Sequence, residues 1–223
     1  MSLIKRLSET LTNLSNKKYH LNDRFIKLTK LDTFQSWFGN SVTVDRNGNP
    51  IVFFHGSEDI DNIKVFNTPS FFGSDKFEAE RYVKNKSNIK PFFVRSDKLL
   101  KVDELNEKER SDILKLIKNN IEGIINYLNS ELPSWVDWFE DGLNPELENM
   151  NNDERIIYLI ESTTDGWFIL EHRLFQNYIK SNGYDGFTTQ ENHVNIATFN
   201  PNYIKIADCS NTTFDINSKN IYK

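Results

Sequence analysis

Apolar positions along this chain recur with two spacings, and the switches between them mark out its elements. Ile4, Leu7, Leu11 and Leu14 fall three to four apart, with Lys5, Arg6, Lys17 and Lys18 on the other faces, the pattern of an amphipathic helix within residues 1–30. Such a helix either docks on a partner or a membrane surface or packs on its own domain, and the last is the common outcome. Leu31, Phe34, Trp37 and Phe38 continue at helical spacing as far as Gly39, a residue type that ends helices because it enters left-handed backbone freely. Val42 and Val44 then alternate with polar residues, a turn-forming stretch occupies 45–50, and residues 51–54 return as a short apolar run. The economical reading is a hairpin whose second strand is buried.

That strand stops at His55, Gly56 and Ser57, so an imidazole, a permissive backbone and a hydroxyl are delivered to the end of a rigid element. Phe71 and Phe72 follow with a small-residue turn, and Ser74 or Asp75 is placed to cap a helix over 76–84 with Ala79 and Tyr82 on one side. Two further strands are indicated at 91–95 and 98–103. From about 104 to 162 the pattern turns helical. Ser111 or Asp112 can cap a helix striped by Ile113, Ile117, Ile121, Ile124 and Leu128; Trp135, Trp138 and Phe139 sit among acids; a further helix is indicated over 153–160. This block reads as a helical insertion whose aromatics serve either the core or a docking surface.

Trp167, Leu170, Leu174, Phe175, Tyr178 and Ile179 stripe one more helix, which contains His172 and stops at Asn182 and Gly183. A histidine alone in such a helix is usually structural or solvated. Residues 184–187 begin a strand, 193–199 alternate as another, and the asparagine-rich residues 209–223 read as a polar tail that frays. Short strands mixed with helices, without regular alternation or repeats, make the chain α+β. Its expected organisation is a helical segment 1–30, one domain 31–208 carrying the insertion, and the tail.

Composition narrows the function classes. A chain of 223 residues can build one well-cored domain with an elaboration. The net charge of -5 and a pI near 5.5 argue against an electrostatic grip on a nucleic-acid backbone. The single cysteine, Cys209, excludes an internal disulfide framework and a cysteine-based metal cluster. The four histidines are scattered and no acid pair stands at a ligand spacing, so no metal is expected. No stretch has the apolar length of a membrane span, and the start lacks the core of a secretory signal. A soluble chain in a reducing cytoplasm, that of a host cell if phage-encoded, is the expectation.

A polar cluster at a strand end that faces an aromatic wall suits a flat, partly charged ligand. The residues that compose it resemble a known family. Residues 34–41, the turn at 44–50, His55 with Gly56 and Ser57, and residues 71–75 with Ala79 and Tyr82 are similar to the ADP-ribosyltransferase domain of phage polyvalent proteins. Residues 182–187 and 198–205 resemble its closing motifs, so the likeness spans about 33–208. It implies a split, two-sheet β core with a nicotinamide cleft between the sheets. It also implies NAD as substrate and mono-ADP-ribosylation of a host or competitor protein, with the insertion choosing the target. Two alternatives stay open: a catalytically weak or inactive module that binds NAD or a partner, and a glycohydrolase in which water replaces the acceptor.

Breaking the bond between nicotinamide and ribose builds positive charge on the sugar, so catalysis needs positioning and a negative charge nearby. On the resemblance, His55 hydrogen-bonds a ribose hydroxyl, Gly56 brings its backbone to the carboxamide, and Ser57 adds a second polar contact. Phe71 stands where many members have a tyrosine stacked on nicotinamide, and it keeps the flat face without the hydroxyl. Either Phe72 alone turns towards the core or both phenylalanines are buried, and Tyr82 is either a further wall residue or, given its helical spacing from Ala79, a packing residue. Where the closing strand commonly starts with a glutamate, this chain has Asn195, which can orient a hydroxyl but cannot act as a base or supply charge. Either Glu191, four residues earlier, takes over that role, or the site is tuned to another reaction, or the chain only binds the nucleotide.

Overall fold

The structure is a computed structural model, and it describes residues 23–131, 150, 151, 154, 170–190, 193–208 and 211–223. Residues 1–22 of the expected N-terminal amphipathic helix, Trp135, Trp138, Phe139, all but residue 154 of the helix expected over 153–160, Trp167, Cys209 and Glu191 lie outside the described residues. In chain order the elements are α1 (Asp23–Thr29), α2 (Asp32–Phe38), β1 (Val52–Gly56), β2 (Ser70–Gly73), α3 (Lys76–Glu80), β3 (Ile89–Val94) and β4 (Leu99–Lys101). There follow α4 (Glu107–Lys118), α5 (Ile121–Glu131), α6 (Arg173–Ser181), β5 (Gly186–Gln190), β6 (Val194–Thr198) and β7 (Ile204–Ile206). The chain is α+β.

Among the described residues seven strands line up as β4-β5-β6-β2-β1-β3-β7, antiparallel except for β4 beside β5. The middle of this ladder is pinched. β1 pairs with β3 from Val52 to Gly56, and β2 pairs with β6 from Ser70 to Gly73, but β1 and β2 meet only at Phe54↔Gly73. The two sheets implied by the resemblance are therefore the halves β4-β5-β6-β2 and β1-β3-β7, joined at one point.

Side-chain alternation distributes the aromatics of each strand over separate cores. Phe92 joins Phe53, Phe66, Phe72 and Ile196, whereas its neighbour Phe93 packs with Phe34, Trp37, Phe38 and Phe214. The third core holds Leu100, Phe187 and Ala197 from the strands together with Ile113, Ile117, Ile124, Phe175 and Ile179 from α4, α5 and α6. The described part of the 104–162 block is thus packed into the domain through its apolar stripe.

Several sequence expectations change in detail. The hairpin before β1 shrinks to one bridge, Val44↔Pro50, because its first arm leans elsewhere: Val42 N–H donates to Ser96 O at 2.8 Å and Thr43 Oγ1 to Val94 O at 2.6 Å. The strands expected at 91–95 and 98–103 fall far apart in the ladder. Asp185 steers that crossing. Its carboxylate accepts from Ser96 Oγ at 3.2 Å, Asp97 N at 2.7 Å and Lys98 N at 2.9 Å, which sends the chain over to pair with β5.

The helix expected from Ser111 or Asp112 starts earlier and is broken once. Asn106 and Glu109 form a reciprocal capping box at the start of α4, and Asn119 ends it before α5. His172 stands outside α6 as its cap, with Nδ1 accepting from Leu174 N at 3.2 Å. The C-terminal residues do not fray: Phe214 and Ile221 are buried, and Ile221 N–H donates to Lys64 O at 2.9 Å. Alternating polar residues hid two apolar anchors there.

Candidate active site

The pinch between β1 and β2 opens into a cavity of about 760 Å³ lined from both halves of the sheet and from α3. Pockets that hold ligands of cofactor size run from about 300 to 1,000 Å³. His55, near the end of β1, lines it. His55 Nδ1 lies 2.8 Å from Phe71 O; a carbonyl only accepts, so Nδ1 carries the proton and the neutral ring keeps Nε2 as a bare acceptor. Phe66 and Phe72 pack on the imidazole with ring centroids 5.0 and 5.3 Å away. Burial pushes the His55 pKa below its ordinary value, against the upward pull of the Phe71 carbonyl. The site thus presents a fixed, uncharged hydrogen-bond acceptor.

Gly56 follows, and here the absence of a side chain is a steric requirement. A Cβ on it would lie 2.5 Å from Ala79 O and 3.0 Å from Val83 Cγ1, so the glycine lets α3 lie against the strand end. Asp75 starts that helix by accepting from Phe77 N at 2.8 Å. Helix α3 is shorter than the expected 76–84 and ends at Glu80. Tyr82, just beyond it, is 64% exposed and stands at the cavity wall.

Opposite, Phe71 and Phe72 point to different sides of β2. Phe72 is buried in the core around His55, while Phe71 is half-buried and meets Phe187 edge-on at 6.0 Å between centroids. Asn195, on β6, sits in register with Gly73 and faces the same cavity.

A family model, ADP-ribosyltransferase in polyvalent proteins, matches residues 45–214. The chain belongs to that family. No curated protein and no solved structure gives a match. The family's chemistry is ADP-ribosyl transfer with NAD as substrate, and the matched span contains both halves of the sheet and every residue lining the cavity.

Within this ADP-ribosyltransferase domain, His55, Gly56, Phe71, Phe72, Tyr82 and Asn195 come together around one cavity. Ser57 does not line it: β1 has ended, and the Ser57 hydroxyl accepts from Asp59 N at 3.4 Å in the following turn. Glu191 lies outside the described residues. The structure adds Glu78, Arg81 and Glu171, which line the cavity and which the sequence did not single out. Glu78 falls inside the helix expected over 76–84, where a carboxylate reads from sequence as solvated. Among the described residues no group of three or more His, Cys, Asp or Glu side chains is placed to hold a metal ion, and no helix is long and apolar enough to cross a membrane.

Proposed function

We propose that this domain is a mono-ADP-ribosyltransferase that moves ADP-ribose from NAD to a protein, as an effector of a phage or mobile element acting on a host or competitor protein in the cytoplasm. The observation that carries the reading is the His55 imidazole, held by the Phe71 carbonyl with Nε2 as an acceptor in a cavity of about 760 Å³. Nε2 accepts from a ribose hydroxyl and so fixes the sugar. Phe71 offers a flat apolar face to nicotinamide. Arg81 at the wall supplies a cation for the pyrophosphate. Asn195 orients a second hydroxyl.

Purified protein incubated with NAD and a bacterial lysate is expected to release nicotinamide and to add the mass of ADP-ribose to a lysate protein. His55→Ala is expected to lower the rate at least about 10²-fold. Intact NAD together with unmodified lysate proteins would favour the second reading, a module that binds the nucleotide or a partner without turnover, which draws on the asparagine at 195. Release of nicotinamide without a protein adduct would indicate a glycohydrolase.

A further inference from the structure

Asn195 leaves the reaction without the negative charge that a developing positive ribose requires, yet an acidic side chain starts beside it. Gly73, the register partner of Asn195, separates the two side chains: the position of a Cβ on Gly73 lies 3.2 Å from Asn195 Oδ1 and 3.2 Å from Glu78 Cβ. Glu78 is only 8% exposed and lines the cavity, although helix α3 also has an outer face on which a carboxylate would be solvated at no cost. Its neighbour Glu80, with 21% of its side chain exposed, pairs with Lys86 at 2.5 Å instead. Arg81 reaches the Glu78 carboxylate at 3.4 Å from the solvent side, with 57% of its side chain exposed. A buried acid, held by one cation and placed within a side chain's reach of Asn195, is positioned for chemistry on the sugar that His55 fixes.

We propose that Glu78 is the catalytic carboxylate of this enzyme, the acid having moved from the closing strand to the adjacent helix while Asn195 retains only the orienting role. The proposal rests on the transferase reading above. As the bond between C1′ and nicotinamide breaks, its electron pair stays on the ring nitrogen and nicotinamide leaves neutral. The Glu78 carboxylate faces the positive charge growing on the ribose. The acceptor's lone pair forms the new bond to C1′, and its proton passes to Glu78 and then to solvent. No electron donor or acceptor is needed.

Glu78→Gln keeps the shape and removes the charge. With NAD and the lysate acceptor it is expected to lower kcat about 10²- to 10³-fold with KM for NAD within about threefold, while Glu80→Gln keeps the wild-type rate. Restoring a carboxylate across Gly73, as Asn195→Glu in the Glu78→Gln background, is expected to recover at least about tenfold, a response that a purely structural glutamate would not produce. Wild-type kcat in Glu78→Gln overturns the proposal, as does a larger loss in Glu191→Gln than in Glu78→Gln, or a folded Glu78→Gln that Asn195→Glu does not revive. If Glu78→Gln melts well below wild type, Glu78→Asp replaces it, and an unchanged kcat there overturns the proposal equally. Activity that survives Glu78→Gln but not His55→Ala removes Glu78 and leaves the transferase reading standing. A wild-type protein that never turns NAD over removes both.

Discussion

His55 is the residue on which electrostatics and geometry agree most closely. Burial disfavours its imidazolium, and the Phe71 carbonyl fixes which nitrogen carries the proton. Protonating Nε2 would turn the acceptor into a donor and remove its bond to a ribose hydroxyl. NAD turnover is therefore expected to fall on the acid side with an apparent pKa below 6.5; a His55 ring titrating at or above that value by NMR would sink the assignment. Stability follows the same sign. The unfolded chain takes up the proton first, so the contribution present above about 6.5 is lost as pH falls through the folded value. His55, Phe71 and Asn195 were legible in the sequence because strand ends and the order of motifs place them. Glu78 was not, since only the close approach of α3 over Gly56 and Gly73 turned that side of the helix inward.

At the scale of elements, the crossing between β3 and β4 depends on one carboxylate. Asp185 collects a hydroxyl and two backbone N–H groups, and its own N–H donates to Lys98 O at 2.8 Å. Asp185→Ala leaves the three donors without their charged acceptor and is expected to cost about 3 kcal/mol, read as a lower urea midpoint with little change in slope. A shift of under about 0.5 kcal/mol would show that water replaces the carboxylate. Gly186 beside it admits no side chain, since a Cβ would lie 1.9 Å from Ala197 O. The resemblance marked residues 182–187 as a closing motif; the structure shows the mechanical reason, a node that joins β4 to β5. Hydropathy found both strands of the 90–102 region but could not tell that they part, because the partner that separates them is about ninety residues away.

Across the whole molecule, the C-terminal residues fasten onto the last strand. Lys205 on β7 is fully buried and donates through Nζ to Ser218 O at 2.6 Å and Asn220 O at 3.1 Å. Burial pushes its pKa down from 10.5 to about 8, with Asp215 pulling the other way. The unfolded chain therefore holds the proton between about 8 and 10.5 while the folded chain has released it, so stability rises with pH across that window. The gain is on the order of 3 kcal/mol if the full shift is expressed. Thermal unfolding from pH 7.5 to 9.5 is expected to show this upward slope and Lys205→Met to flatten it; parallel profiles would place the titration elsewhere.

By itself the sequence determined the α+β class, the order of most elements, the family resemblance and the identity of the imidazole at the strand end. These are local quantities: periodicity, turn chemistry and motif order are written in consecutive residues. Tertiary structure alone decided that β1 and β2 touch at a single pair, that the strands after residue 89 separate, that the polar C-terminal residues are anchored by Phe214 and Ile221, and that Glu78 Cβ and Asn195 Oδ1 both come up against Gly73. Each of these is a contact between residues distant in the chain, set by which surfaces pack and which donors find acceptors. A carboxylate in a helix has the same local signature whether it meets water or a substrate, and only the fold determines which.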